Sequence, residues 1–193
     1  AAQINNFSHG YSGVRRKVVE ALNALLIHDC IPDVPSRGSA GYLVHMAHIA
    51  LVLIGEGRAT LDGHSPTGAE ALHRLGLEPL VLQSKEGLSL CNGTSCSCGL
   101  GSYALLRARR IADWADAIAA MTLEALGGQI SAFDPEILEL RVSPGLQYVG
   151  HSLRRRLAGS KLIDEARGRR TQDALSLRAI PHAHGAARDV FDH

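Results

Sequence analysis

Tyr103 to Leu126 reads YALLRARRIADWADAIAAMTLEAL, the longest alanine- and leucine-rich run in the chain, and Gly127-Gly128 closes it. Alanine and leucine are strong helix formers, so the run predicts one long helix with a glycine stop. Upstream, Val18, Val19, Leu22, Leu25 and Leu26 recur at helical spacing within Val14 to Cys30, with Arg15, Arg16, Lys17 and Glu20 on other faces. Leu43 to Gly55 is apolar nearly all round and predicts a buried helix ended by Gly55 or Gly57. Shorter helices are expected at Thr67 to Leu75, with Gly76 beyond its end, at Pro135 to Leu140, and at Gly145 to Leu157. Period-two alternation is nowhere sustained, so strands should be few and the fold class all-α. Periodicity weakens after about residue 165, where Gly, Pro and His accumulate, and an irregular segment is expected from there to His193.

The chain has 193 residues, enough for one good core, and nothing in the composition demands two. Twenty basic residues against nineteen acidic ones leave a formal charge of +1, which provides no field for nucleic acid or an anionic membrane. The clusters Arg107 to Arg110, Arg154 to Arg156 and Arg167 to Arg170 are short and interleaved with acids, and read as solvated helix faces. The longest apolar run, Ile49 to Ile54, is too short to span a bilayer, and the start of the chain shows no basic region followed by an apolar stretch. A soluble, cytoplasmic protein is expected.

Cys91, Cys96 and Cys98 crowd one stretch, but structural zinc needs four ligands and no second Cys-x2-Cys unit exists, so no metal is expected. They read as small hydrophobes or free thiols, and the Asn-Gly-Thr at Asn92 as a chance match to a glycosylation signal. His45 and His48, three residues apart on an apolar helix, lack a third metal ligand and are expected to be buried and hydrogen-bonded. Gly38-Ser39-Ala40-Gly41, ahead of that helix, resembles an anion-binding turn without the ending of a phosphate loop. Asn92 and Arg178 make a sharper pair. A guanidinium fork grips a carboxylate through two parallel hydrogen bonds, and a primary amide donates to a developing oxyanion while accepting from an amine.

Seven segments in order carry a family resemblance: GYSGVR at Gly10, IPDVPSRGSAG at Ile31, HMAHIALVLIGEG at His45, KEGLSLCNGT at Lys85, FDPEILELRVSPG at Phe133, LAGS at Leu157 and QDALSLRAIPHAHGAARD at Gln172. Together they resemble the aromatic amino acid ammonia-lyases, the histidine and phenylalanine ammonia-lyase family. The resemblance implies a long-helix bundle, here the central portion and incomplete at both ends, and a homotetramer whose active sites draw on several subunits. It implies loss of ammonia from an aromatic amino acid, histidine first, to give an α,β-unsaturated acid, with further polypeptide segments supplying the rest of the site. By the same resemblance Asn92 lies beside the electrophile and the substrate, Arg178 binds the substrate carboxylate, and Gln172 supports that pocket. The family electrophile is a methylidene-imidazolone group cyclised from Ala-Ser-Gly, for which Ser39 is the nearest counterpart.

Three departures accompany it. Gly38-Ser39-Ala40 carries its alanine and glycine in exchanged places, and Gly41 runs into Tyr42-Leu43 where the family continues its block. Leu175 stands where the family has a tyrosine, and leucine can neither donate nor accept a proton. The segments bearing the family's loop tyrosine base and its C-terminal helices are not matched, so a companion chain is expected as partner. An inactive homologue that binds an amino acid or a protein is the alternative.

Overall fold

A computed structural model describes residues 1–38 and 43–192. The chain divides into two compact units, Ala1–Ser102 and Tyr103–His193, each with its own apolar core. Gly41, Tyr42 and most of the glycine-rich turn, Ser39 included, lie outside the described residues.

In the first unit, α1 (Ala2–Ser8) and α2 (Arg16–Ile27) lead to a two-residue strand β1 (Ile31–Pro32). The helix α3 (Leu43–Leu53), strand β2 (Ala59–Thr60), and helices α4 (Gly68–Arg74) and α5 (Glu86–Cys91) follow. The strands pair antiparallel, Ile31 with Thr60 and Pro32 with Ala59, and make the only sheet among the described residues. On α2, Val18, Ala21, Leu22 and Leu25 are buried at the i, i+3, i+4, i+7 spacing of one helical face. They meet Val52 and Leu53 of α3, Leu72 of α4 and Leu90 of α5.

Local chemistry fixes the ends of α4. Thr67 and Glu70 form a reciprocal capping box, each side chain on the other's backbone N–H. At the other end Gly76 adopts φ +69°, its N–H donating to the His73 carbonyl while that of Leu77 donates to Leu72. Those two bonds satisfy the last carbonyls, and the left-handed turn is one that glycine takes without strain.

An ion pair joins two of the sequence blocks. Glu86, 1% exposed, accepts from Arg15 Nε at 2.7 Å and from Arg15 Nη2 at 2.6 Å. It also takes the backbone N–H groups of Arg15 at 3.1 Å and Gln83 at 2.8 Å. The Arg15 guanidinium, opposed by burial, holds the Glu86 carboxyl down at about 2. Arg15 of GYSGVR and Glu86 of KEGLSLCNGT are thus two halves of one structural clamp.

The second unit contains most of α6 (Ser95–Ala125), which begins in the first unit. A 3-10 turn, Ile130–Phe133, precedes α7 (Pro135–Leu138), α8 (Pro144–Leu157), α9 (Lys161–Ala166), α10 (Leu175–Arg178) and α11 (Ile180–Phe191). Leu123, Phe133, Val149, Leu153, Leu157, Ile163 and Ile180 form its core. Helices α8 and α11 approach closely through two glycines: a Cβ on Gly185 would lie 2.5 Å from the Leu146 nitrogen. Asp189 ties the same pair, accepting from Ser143 Oγ at 2.6 Å and from the Gly145 N–H at 2.7 Å. Asp116, fully buried on α6, accepts from His184 at 2.8 Å and Arg188 at 2.7 Å.

Two boundaries differ from the sequence reading. Helix α6 starts at Ser95, eight residues before Tyr103, because a long helix absorbs Gly99 and Gly101 at about 1 kcal/mol each. The expected irregular segment from about 165 to 193 is irregular only as far as Ala174, and α11 is regular. Its proline sits in the first turn, where no helical hydrogen bond is lost, and its glycine serves close packing.

Candidate functional site

The loop Arg167 to Ala174 is held from below by two buried side chains. Asp173 Oδ2 accepts the Gln129 backbone N–H at 2.5 Å, and Asp173 Oδ1 lies 3.6 Å from Arg170 Nε. The Gln129 amide donates to the Ala166 carbonyl at 2.6 Å and accepts the Gly168 N–H at 3.0 Å. With the loop pinned at both ends, Gln172 and Arg178 line one cavity of about 320 Å³, together with Thr171, Asp173, Gln129 and His182.

Arg178 ends the short helix α10 and is exposed. Its guanidinium makes no hydrogen bond or ion pair among the described residues, so all of its donors are available to a carboxylate. The Gln172 amide is likewise exposed and without a protein partner among them. The cavity offers a fixed positive charge, a primary amide, an imidazole and a hydroxyl, in a volume at the lower end of small-molecule sites.

Asn92 belongs to the first unit, where it caps the C-terminus of α5. Its Oδ1 accepts the Gly93 N–H at 3.1 Å, and its exposed amide nitrogen has no acceptor among the described residues. Ahead of α5, Lys85 takes φ +72°, a left-handed conformation that costs a side-chain-bearing residue about 1–2 kcal/mol. Glu86, clamped by Arg15, holds the turn that carries it.

Ser39, the remaining candidate, lies outside the described residues. Ala-Ser-Gly occurs nowhere in the sequence, so the residues present do not match the methylidene-imidazolone precursor, and no step is derived through that group. Leu175, in the tyrosine position, is 67% exposed at the start of α10.

His45 and His48 are only partly buried, and His45 Nδ1 is enclosed without a hydrogen-bond partner among the described residues, contrary to the expectation of buried, satisfied imidazoles. The side chain lines a largely apolar cavity of about 530 Å³. All four cysteines are free, and burial pushes the Cys30 and Cys91 thiols up. Among the described residues no group of three His, Cys, Asp or Glu is placed to hold a metal ion, and no helix is long and apolar enough to cross a membrane.

The described fold is that of a helical protein with an unpartnered arginine, among the described residues, at the edge of a small cavity of mixed lining. The chain belongs to the aromatic amino acid lyase family, whose sequence model matches residues 1–193. It is 44% identical over 189 residues to the histidine ammonia-lyase of Myxococcus xanthus, covering 96% of this chain and 37% of that one. It is 47% identical over 201 residues to that of Anaeromyxobacter dehalogenans, covering 96% and 39%. Among solved structures, tyrosine aminomutase from Streptomyces globisporus superposes with a TM-score of 0.91 at 36% identity, covering all of this chain and 40% of that one. Histidine ammonia-lyase from Trypanosoma cruzi gives a TM-score of 0.86 at 34% identity, covering 99% and 35%.

The fold is therefore the ammonia-lyase fold, and the chain spans under two-fifths of the length of the curated relatives it is compared with here. These relatives and neighbours are all named as enzymes, and they lend no support to the alternative of an inactive homologue.

Sequence reasoning missed Asp173, Gln129 and His182. Asp173 and Gln129 work across 44 residues of chain, a separation at which no local pattern shows. His182 was read in an irregular segment, whereas the first turns of α11 bring it to the cavity wall.

Proposed function

We propose that this chain forms part of an ammonia-lyase that eliminates ammonia from an aromatic amino acid, with histidine the first candidate. In the elimination the Cα–N bond breaks, a proton leaves Cβ, and the electron pair of that C–H bond becomes the new double bond. The products are ammonia and an α,β-unsaturated acid. One observation carries the reading: Arg178, without a partner among the described residues, shares a cavity with Gln172 in a chain 44% identical to a histidine ammonia-lyase. Arg178 takes the substrate carboxylate as a bidentate partner, and Gln172 fixes its orientation. By the family resemblance, and apart from that cavity, Asn92 is assigned an amide role toward the electrophile and the substrate. The β-proton is only weakly acidic, so a substrate held and charge-compensated through its carboxylate gains most from such positioning.

The base that removes the β-proton is expected from a polypeptide segment other than residues 1–193, of this protein or of a companion chain, within an oligomeric assembly. A cytoplasmic setting suits that assembly.

The test is product formation. The chain is assayed with the polypeptides that associate with it in its native cell, against L-histidine, L-phenylalanine and L-tyrosine. Equal amounts of ammonia and alkenoic acid are expected, with histidine fastest. Absence of both products from all three substrates would overturn the reading, and normal rates from the chain on its own would remove the need for a companion.

A further inference from the structure

Three arginines that the sequence presents as solvated faces converge on a second cavity. About 530 Å³ in volume, it is lined by Arg154, Arg167 and Arg170 with Ser131, Thr171 and the single acid Asp134. Three guanidiniums and one carboxylate line it, and Asp164 and Asp173 stand beside Arg167 and Arg170 as ion partners, at 3.2 and 3.6 Å.

The guanidiniums are anchored but not saturated. Arg154 donates one nitrogen to the Phe133 carbonyl, and its Nε and Nη2 have no acceptor among the described residues. Arg170 spends Nη2 on the carbonyls of Leu126 and Gly127, at 3.0 and 2.7 Å, at the C-terminal end of α6, and its Nε lies 3.6 Å from the Asp173 carboxylate, which leaves Nη1 open among the described residues. Among the described residues Arg167 meets only Asp164, at 3.2 Å in an exposed pair, which is worth little in water.

The turn between Arg167 and Arg170 is built in advance. Gly168 takes φ +74°, and the buried Gln129 amide fastens both Ala166 and Gly168. The ordering cost of bringing these cations together is thus met by the fold and not by a ligand.

We infer that this cavity is a binding site for a phosphate-class oxyanion, inorganic phosphate or a small phosphomonoester, with the unfilled guanidinium donors of Arg154, Arg167 and Arg170 as its gripping groups. Forked guanidinium donors fit a tetrahedral oxyanion, and the Ser131 and Thr171 hydroxyls add neutral donors. Gln129, Ser131 and Thr171 also line the Arg178 cavity, so the two sites share a wall. The site is separate from the proposed elimination and does not rest on it.

The test is calorimetric titration of the full chain, at low ionic strength in a cationic buffer, with inorganic phosphate, methyl phosphate and acetate as separate probes. One phosphate or methyl phosphate per chain is expected, with acetate binding at least about tenfold more weakly. The tighter of the two phosphate probes tells whether the natural occupant is the free ion or a monoester. Arg167→Gln, which breaks only an exposed ion pair, should weaken phosphate about tenfold while leaving the thermal midpoint in place. Arg170→Lys keeps the charge and loses the fork, and should give an intermediate loss. Phosphate binding no tighter than acetate, or equal binding by wild type and Arg167→Gln, would overturn the assignment.

Discussion

Among single residues, Glu86 carries the sharpest consequences. It is a buried carboxylate with a bidentate arginine and two backbone donors, and removing its charge leaves Arg15 half-enclosed without an anion. Glu86→Gln should destabilise the first unit by about 3–5 kcal/mol, read as a lowered urea midpoint. Folding draws this carboxyl from its ordinary 4.5 down to about 2, so the unfolded chain binds the proton more tightly. Its stabilising contribution is complete above about 4.5 and drains away as pH falls toward 2. Acid titration of the wild type should show that loss and Glu86→Gln should not. Arg178 and Gln172 were legible at this scale because the Gln172 block has a recognisable pattern. Asp173, beside them, was legible as a residue but not as the post that holds them, since its partner is the backbone of Gln129.

Secondary-structure elements were readable where one face decides them, and harder where tertiary contacts do. The buried face of α2 and the capped ends of α4 stand plainly in the sequence, as Val18 to Leu25 and as Thr67, Glu70 and Gly76. Helix α11 does not, because Pro181 and Gly185 look like breakers until the proline is placed in a first turn and the glycine against α8. Its helicity depends on Asp116, which gathers His184 and Arg188, and on the absence of a side chain at residue 185. Gly185→Ala would push a methyl into the Leu146 backbone, which cannot yield, and should cost about 1–3 kcal/mol by overpacking. Thermal unfolding measures that cost. Helix α10, which ends in Arg178, leads straight into α11, and α11 carries His182 of the same cavity, so the variant should also lose ligand affinity without any change to the cavity residues.

The whole molecule leaves much apolar surface in water. Ile111, Trp114, Ile118 and Met121 of α6 are each 59–69% exposed and repeat at intervals of three and four, the spacing of one continuous stripe. A stripe of that kind on a 31-residue helix is a helix-packing face, and the chain is expected to self-associate or to bind a companion through it. Ile118→Glu should shift the sedimentation coefficient toward that of a monomer, and a wild-type chain that is monomeric at micromolar concentration with no companion would contradict this. Composition gave no hint of the two cores, because 193 residues suffice for one, and the division emerges only from where the apolar faces meet. The central claim is that Arg178 and Gln172 hold a carboxylate. Calorimetric titration of the assembled protein with L-histidine and with histidinol, which lacks only that carboxylate, tests it most directly. The account predicts that histidine binds, that histidinol binds at least about tenfold more weakly, and that Arg178→Met abolishes the difference. Equal affinity for the two compounds in the wild type would contradict it.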